Sequence, residues 1–306
     1  MSQKQFLWFA VACLILCNCK ADGYREVSAD LSPPGLDRTT QTGEHSTTAL
    51  RFSVAAMLSP RNTYAAYSQW VTHMGLQLDM RIDFVQRSSY AEVNQLLASG
   101  EVDAALLCTG GYLELKRQAG EAVEVLAVPV VRGKTTYNSL VIVPANSPAR
   151  SLADLRQERF VFTDELSLSG RAYVVQQLRR LGDYPSRYFR SVRYTHSHDL
   201  SIESVASGMA DGAAVDSLVY ETIATQNPDR ISQIRIIDRS PPLGITPVVA
   251  GPSLSTRDRI RLRQVLLSLE HDPAAAAAMQ TIHIDRFVAA EPGLYDSAIA
   301  ILGEGR

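Results

Sequence analysis

The sequence predicts an α/β protein of two similar domains, on three observations. Short apolar runs alternate with amphipathic helical segments, which is typical of parallel sheets made of βαβ units. This alternation stops near residue 140 and then starts again. A short segment also recurs, since ASGEVDAA at residues 98–105 resembles ASGMADGA at residues 206–213, 108 residues later. Chance recurrence at two helix ends is the alternative explanation.

The elements of the first half follow from local patterns. Strands are predicted where apolar and polar residues alternate or where a short apolar run ends in a loop. Helices are predicted where apolar residues recur every three to four positions. The predicted strands are residues 51–57, 81–86 and 102–108, and the predicted helices are residues 62–74, 90–98 and 112–119.

The second half repeats this order. The same patterns predict strands at residues 159–163, 191–195 and 210–216, and helices at residues 170–181 and 200–207. Three further helices are predicted near the C-terminus and are expected to pack back on the first domain. They are residues 256–269, 274–279 and 294–302.

Two apolar stretches next to prolines, residues 137–144 and 241–251, bracket the second half. We expect them to be paired strands that cross between the domains, which is the layout of a hinged protein that closes on a ligand. The predicted first domain comprises residues 51–139 and 250–306, and the predicted second domain comprises residues 140–249.

The N-terminal residues are typical of a secretion signal. A weakly basic start precedes an apolar core at residues 6–17, which suits a signal peptide and is short for a membrane span. We expect residues 1–21 to be a cleaved signal peptide and residues 22–50 to be a flexible linker. Alternatively, Cys19 carries a lipid anchor. Either route predicts a periplasmic protein.

Composition restricts the function classes. The chain is 46 % hydrophobic and 20 % charged, which is ordinary for a globular protein, and its formal net charge is −2. There is no basic field to attract nucleic acid, so we expect no nucleic-acid partner.

Cys108 is the only cysteine beyond the predicted leader. It ends a predicted strand and precedes a loop of small residues, which is where open α/β sheets bind ligands. An unpaired thiol in an exported protein is uncommon, although free cysteine is often simply a small buried apolar residue. In the repeat, Cys108 corresponds to Asp216, so a thiol and a carboxyl group would face the cleft from opposite walls.

A second candidate site lies at residues 160–171, where a strand leads through a loop to the start of a helix. Backbone N–H groups at a helix N-terminus, with the hydroxyls of Ser167 and Ser169 beside Gly170, can bind an anion or a polar acid. Arg171 could add positive charge. The alternative is ordinary helix capping by one of the two serines.

These features resemble the phosphonate-binding family of periplasmic solute-binding proteins. The resemblance rests on the order of elements, on the Ser-x-Ser-Gly loop, and on His198-Asp199 before a helix that ends at Gly208, with Asp211 beyond it. It covers roughly residues 50–290 and implies two α/β domains, two hinge strands and a ligand in the cleft between the domains.

The resemblance also implies particular ligand contacts. The serine loop would grip an oxyanion through Ser167, Ser169 and Gly170, and Leu168 replaces a threonine of the family's loop. The other side chains that the resemblance assigns to the pocket are Tyr90, Tyr112, His198 and Asp216.

Leu168 and Cys108 alter the expected ligand. Leu168 removes one hydroxyl from the anion cradle, and Cys108 adds a soft sulfur ligand. Both favour arsenite, an uncharged hydroxy acid near pH 7, and the chain is similar to a branch of the family that senses arsenite together with a membrane histidine kinase. Cys108 would then bind arsenic. The alternative is the binding component of an ABC importer for phosphonate, phosphite or phosphate, with a permease as partner.

An enzyme is not expected. The sequence contains no Gly-x-Ser-x-Gly elbow, no His-Glu-x-x-His motif, no P-loop and no dinucleotide fingerprint, and no cofactor is predicted. A thiol-dependent enzyme that uses Cys108 and His198 is the remaining enzymatic alternative, but nothing in the sequence marks an oxyanion hole.

Overall fold

The computed structural model describes residues 29–30 and 49–303. The strands are β1 (Ala29–Asp30), β2 (Leu50–Val54), β3 (Ile82–Val85), β4 (Ala104–Leu106), β5 (Glu124–Val130), β6 (Thr136–Tyr137), β7 (Ser139–Pro144), β8 (Arg159–Phe162), β9 (Ser191–Tyr194), β10 (Gly212–Asp216), β11 (Ile234–Arg239), β12 (Leu243–Gly244), β13 (Val248–Ala250) and β14 (Arg286–Val288). The α-helices are α1 (Pro60–Leu78), α2 (Tyr90–Ser99), α3 (Thr109–Ala119), α4 (Tyr173–Arg180), α5 (Pro185–Tyr188), α6 (His198–Ala206), α7 (Ser217–Gln226), α8 (Pro228–Ser232), α9 (Thr256–Ser268), α10 (Pro273–Thr281) and α11 (Asp296–Gly303).

The two main sheets share one topology, as the repeat predicts. The first sheet has the order β1-β3-β2-β4-β13-β5-β14 and the second has the order β11-β7-β10-β8-β9. In each sheet three strands are parallel, namely β3-β2-β4 and β9-β8-β10. An antiparallel strand that follows a crossover then joins each set, β13 beside β4 and β7 beside β10. The predicted α/β class with two βαβ domains is confirmed.

The repeat is also visible in single interactions. In the first domain the guanidinium of Arg51 forms a two-point ion pair with Asp103, with an Nη2–Oδ1 distance of 2.6 Å. Arg159 and Asp211, each 108 residues further along, form the same pair with the same distance. Each pair ties the first parallel strand of a domain to the residue before its third strand.

The recurring Ala-Ser-Gly segment ends a helix in both halves. Gly100 follows α2 and Gly208 follows α6, with φ of 77° and 74°. Only glycine adopts this left-handed conformation without strain, so both helices end there. The strand that follows each glycine then leads to Cys108 in one domain and to Asp216 in the other.

The hinge is shorter than predicted. Only β6 and β12 lie outside the two main sheets, where they pair antiparallel with each other. The rest of the predicted crossover stretches belongs to β7 of the second sheet and β13 of the first sheet. An apolar run cannot distinguish a hinge strand from a central sheet strand, because both are buried on both faces.

The leader and most of the predicted linker, with Cys13, Cys17 and Cys19, lie outside the described residues. Within the predicted linker, however, β1 pairs antiparallel with β3. The linker prediction is wrong at these two residues, because a free sheet edge can order a segment that has no strand pattern of its own. Among the described residues, no helix is both long enough and apolar enough to cross a membrane.

The C-terminal helices divide between the domains. Helices α9 and α10 bury Leu262, Leu266 and Met279 in the core of the first sheet, as expected. Helix α11 instead buries Ala298 and Ile301 in the cluster that contains β7 and β8 of the second sheet. The expectation that residues 294–302 pack on the first domain is therefore correct for Leu294 and Tyr295, which pack against clusters of the first domain, and wrong for Ala298 and Ile301. The amphipathic pattern of a helix shows that one face is buried, but not against which domain.

Truncation of Ile301 should destabilise the protein, because its side chain is 7 % exposed in the core of the second domain. We expect Ile301→Ala to lower the free energy of unfolding by about 2–4 kcal/mol. The matched control is Ile299→Ala in the same helix, where the side chain is 54 % exposed, and it should change stability by less than about 0.5 kcal/mol. Urea denaturation measures both, and equal effects would contradict the packing of α11.

Candidate ligand-binding site

The site lies where helices of both domains begin. Helices α2 and α3 of the first domain, and α6 with a π-helical turn at Leu168–Ala172 of the second, start at the cleft. The positive dipole ends of these helices therefore converge on it. This follows from the topology, because helices in βαβ units begin at the carboxyl ends of the strands.

The domains are in direct contact at the first turn of α3, and a cavity of about 620 Å³ remains between α1 of the first domain and α6 and α7 of the second. Gly110, in the first turn of α3, lies against the loop of the second domain. A Cβ atom on Gly110 would be 2.2 Å from the carbonyl oxygen of Leu166 and 2.9 Å from the amide nitrogen of Leu168. No side chain fits at this position in the closed form.

Cys108 lies in the cleft, 3 % exposed, between β4 and α3. Burial raises the pKa of its thiol to about 11, and the backbone amides of Leu168, Gly111 and Gly110 act in the opposite direction. Cys108 is a free cysteine, and at neutral pH it is protonated. The sulfur is therefore a neutral soft ligand rather than a thiolate nucleophile.

Tyr90 and His198 face each other across the cleft, with 3.4 Å between Oη and Nε2. The backbone N–H of Asp216 donates to Nδ1 of His198 at 3.1 Å, so Nδ1 is an acceptor and the ring proton lies on Nε2. Burial lowers the pKa of His198 to about 3. The ring is therefore a neutral donor that points toward Tyr90.

Asp216 is the last residue of β10, which is equivalent in the repeat to β4, the strand that leads to Cys108. Its Oδ1 accepts a hydrogen bond from the amide of Leu218 at 2.7 Å, which caps α7. Burial raises the pKa of the carboxyl group to about 7. Near neutral pH the group is thus about half protonated and can either donate or accept a hydrogen bond.

The two serines of the loop at residues 167–170 have different roles. The hydroxyl of Ser167 accepts a hydrogen bond from the amide of Gly170 at 2.9 Å, so this serine caps the helix. The hydroxyl of Ser169 is buried and has no hydrogen-bond partner among the described residues. A Cβ on Gly170 would lie 2.5 Å from Thr163, so the loop cannot carry a side chain there. Ser169 is the member of the loop that is available to a ligand.

Two predicted contacts do not join the site. The ring of Tyr112 packs against Tyr295, with 5.2 Å between centroids, in a cluster formed by α2 and α3. The guanidinium of Arg171 donates from Nε to the hydroxyl of Tyr194 at 2.9 Å and from Nη1 to the carbonyl of Glu165 at 3.3 Å. Residues near a helix start can project to either side, and sequence spacing did not reveal which side these take.

Tyr137 is the contact that sequence reasoning missed. It lies in the hinge strand β6, 3 % exposed. Its hydroxyl makes no hydrogen bond of good geometry with the described residues, although the side chains of Thr109 and Ser169 are near enough to lower its pKa. Burial raises its pKa, and the neighbouring ionisable groups of Cys108 and Asp216 act in the same direction. An aromatic residue with a polar tip in a hinge strand was the available signal.

The assembled cluster contains hydroxyls, a thiol, a neutral imidazole and a carboxyl group. Among the described residues, the groups that shift the pKa values of Tyr90, Cys108, Tyr137 and Asp216 most strongly do not include a lysine or an arginine. Such a pocket can hydrogen-bond a small polar molecule from several directions. It offers anions only the partial charges of helix N-termini.

At the mouth of the cleft, Asp164, Glu165 and His196 place possible ligand atoms within 4.8 Å of one another. Asp164 already accepts hydrogen bonds from the amides of Tyr90 and Leu166. Its carboxylate therefore joins the two domains rather than remaining free for a metal ion.

The raised pKa of Asp216 should appear as a pH dependence of stability. Between about pH 4, the pKa in an unfolded chain, and about pH 7, the folded state holds one extra proton. Asp216→Asn lacks this titrating group, so the difference in the free energy of unfolding, wild type minus variant, isolates its effect. This difference should fall by up to about 1.4 kcal/mol per pH unit across the window. It should be constant above pH 7.

The control for this prediction is His198→Gln, because the pKa of His198 is lowered instead of raised. The free energy of unfolding of the wild type, minus that of His198→Gln, should rise with pH up to about 6.5 and then stay constant. Urea denaturation across pH measures both differences. Parallel pH profiles for the wild type and Asp216→Asn would show that Asp216 is not buried in the folded protein.

Closure should depend on the missing side chain at Gly110. We expect Gly110→Ala to keep the cleft partly open, because its methyl group would overlap the carbonyl of Leu166. Gly111→Ala is the matched control in the same helical turn, where the nearest atom would be 3.6 Å away. Small-angle scattering with and without ligand should show compaction in the control and not in Gly110→Ala. Equal compaction would contradict this assignment.

The chain is similar to known binding proteins. A family model described as ABC transporter, phosphonate, periplasmic substrate-binding protein matches residues 52–295. The phosphonates-binding periplasmic protein of Escherichia coli K12 is 22 % identical over 241 residues, which span 76 % of this chain and 70 % of that protein.

Two solved structures have the same fold. One is a binding-protein component of an ABC phosphonate transporter from Pseudomonas aeruginosa, with a TM-score of 0.76, 21 % identity, and 85 % and 86 % of the two chains covered. The other is PhnD1 from Prochlorococcus marinus in complex with methylphosphonate, with a TM-score of 0.74, 20 % identity, and 84 % and 98 % covered. The family resemblance read from the sequence is confirmed, and the chain belongs to the phosphonate-type periplasmic substrate-binding proteins.

Proposed function

We propose that this protein is a periplasmic receptor that binds arsenite in the closed cleft and reports its occupancy to the periplasmic domain of a sensor histidine kinase. The observation that carries the proposal is Cys108, a buried neutral thiol near the backbone amides of Gly110, Gly111 and Leu168 and the hydroxyls of Tyr90 and Tyr137. Soft sulfur ligands favour soft, thiophilic elements over phosphorus oxyanions.

The charge of the pocket supports an uncharged ligand. Arsenite is a neutral trihydroxy acid near pH 7, whereas a phosphonate carries negative charge that must be compensated when it is buried. Arg171 is bonded to Tyr194 and Glu165, and His198 is neutral. The hydroxyls of Tyr137 and Ser169, both buried without a partner among the described residues, suit the oxygen atoms of such a ligand.

Binding of arsenite to Cys108 is a ligand exchange and needs no oxidant or reductant. The thiol of Cys108 exchanges with one hydroxyl of arsenite, so a sulfur–arsenic bond replaces an arsenic–oxygen bond. The thiol proton leaves with the displaced hydroxyl as water. The two remaining hydroxyls would hydrogen-bond to the groups around the sulfur, namely Tyr90, Tyr137, Ser169, His198 and Asp216.

Signalling would follow from closure. Ligand contacts come from both domains, so the ligand favours the closed form over an open one. The closed form brings surfaces of the two domains together, and a kinase domain that recognises this combined surface would detect occupancy. The periplasmic location of the family and the predicted signal peptide support this arrangement.

The second candidate is the binding component of an ABC importer for phosphonate, phosphite or phosphate, with a permease as partner. Two observations favour it, the family match and the helix N-termini that converge on the cleft. An enzyme is less well supported, because a thiol with a pKa of about 11 is a poor nucleophile at neutral pH.

Calorimetric titration under reducing conditions separates these candidates. We expect the protein expressed from residue 22 to bind arsenite, and Cys108→Ser to weaken that binding at least a hundredfold, because serine cannot form the sulfur–arsenic bond. Methylphosphonate and phosphate are the comparison ligands, and Ser169→Ala tests the oxygen contacts with either class.

The contrary result has a clear meaning. Tight methylphosphonate binding that is unchanged in Cys108→Ser, with no arsenite binding, would make Cys108 a packing residue. The protein would then be the receptor of an importer.

A further inference from the structure

A contact between the domains, in the wall of the cavity that Asp216 also lines, joins Asp199 to the start of α1. The carboxylate of Asp199, the second residue of α6, accepts hydrogen bonds from the amide of Ser59 at 3.0 Å and its hydroxyl at 2.8 Å. It also accepts one from the side-chain amide of Asn62 at 2.8 Å. All three bonds cross the cleft, from the second domain to the first.

Helix α1 lacks a cap of its own. The side chain of Ser59, at the N-cap position, makes no hydrogen bond to the first turn, and that turn contains no acidic residue. Helix α2 by contrast has a complete capping box formed by Ser89 and Glu92. A helix N-terminus is stabilised by nearby negative charge. For α1 this charge is the carboxylate of Asp199, which belongs to the second domain.

The carboxylate is ionised at neutral pH. Burial raises its pKa, but the hydrogen bonds from Ser59 and Asn62, with the hydroxyl of Ser197 nearby, outweigh this effect, so the pKa stays below its usual range. The contact is thus made by a full negative charge that faces the positive end of a nineteen-residue helix.

The same contact is one residue from the ligand pocket. Asp199 follows His198, whose backbone N–H donates to the carbonyl oxygen of Met57 at 3.0 Å. The first turn of α6 is therefore bound to the first domain through the backbone of His198 and the side chain of Asp199. This fixes the imidazole opposite Tyr90, which belongs to the first domain.

We propose that Asp199 is a positioning residue of the ligand site, which holds His198 opposite Tyr90 by binding the N-terminus of α1 when the cleft closes. Asp199 acts through closure and does not contact the ligand. The proposal rests on the proposed function only in that the cleft binds a ligand, whether arsenite or a phosphonate.

Binding kinetics test this role, with arsenite and methylphosphonate as the two probes. We expect Asp199→Asn to raise the dissociation rate of the bound probe about tenfold, because the contact forms after the ligand has entered. The association rate and the melting temperature of the ligand-free protein should change little. A loss of fold alone would instead lower the melting temperature.

Glu203→Gln is the matched control. Glu203 lies on the same helix and pairs with Arg230 of its own domain, so the variant removes one negative charge without removing a bond across the cleft. It should leave the dissociation rate unchanged. A dissociation rate for Asp199→Asn equal to that of Glu203→Gln overturns the proposal.

A double-mutant cycle with Asn62→Ala adds an independent readout. The two changes should be non-additive in the dissociation rate and additive in ligand-free stability, because they share one hydrogen bond only in the closed form. If the wild type binds neither probe, the proposed function fails, and amide hydrogen exchange at Ser59 tests the contact directly. Equal exchange in the wild type and Asp199→Asn then overturns the proposal.

Discussion

The structure depends on a close contact between the helix N-termini of two facing domains. Tyr90 and His198 begin α2 and α6, they occupy equivalent positions 108 residues apart, and their side chains meet across the cleft. Closure of this kind requires a backbone without obstruction, which explains the glycine at 110. It also requires that polar groups at the helix starts find partners in the opposite domain, as the amide of Tyr90 does with Asp164.

Desolvation at this contact sets the chemical character of the site. The same burial raises the pKa of Cys108 and of Asp216 and lowers that of His198, so each group is driven toward its neutral form. A pocket of neutral donors and acceptors beside a thiol differs from one that compensates an anion with arginine or lysine. The proposed preference for arsenite follows from the burial that favours the neutral forms of these groups, more than from any single hydrogen bond.

Sequence reasoning predicted the framework and part of the site. Alternating patterns and the 108-residue repeat predicted two sheets of equal topology, and the positions of Cys108 and Asp216 at equivalent strand ends followed from that repeat. Tyr90, Ser169 and His198 were found through the family motif and lie in the cleft. Tyr137 was missed, and Tyr112 and Arg171 were assigned to the pocket although they face elsewhere.

The sequence by itself determined the order of the strands and helices that form the two parallel units, and the helix ends at Gly100 and Gly208, because caps, glycines and apolar periodicity act within a few residues along the chain. It also determined that the two halves are alike. Only the tertiary structure decided which side chains converge, since the direction of a side chain near a helix start depends on packing against distant segments. The attachment of α11 to the second domain and the cap that Asp199 gives to α1 were decided at this level, because both join residues more than a hundred positions apart.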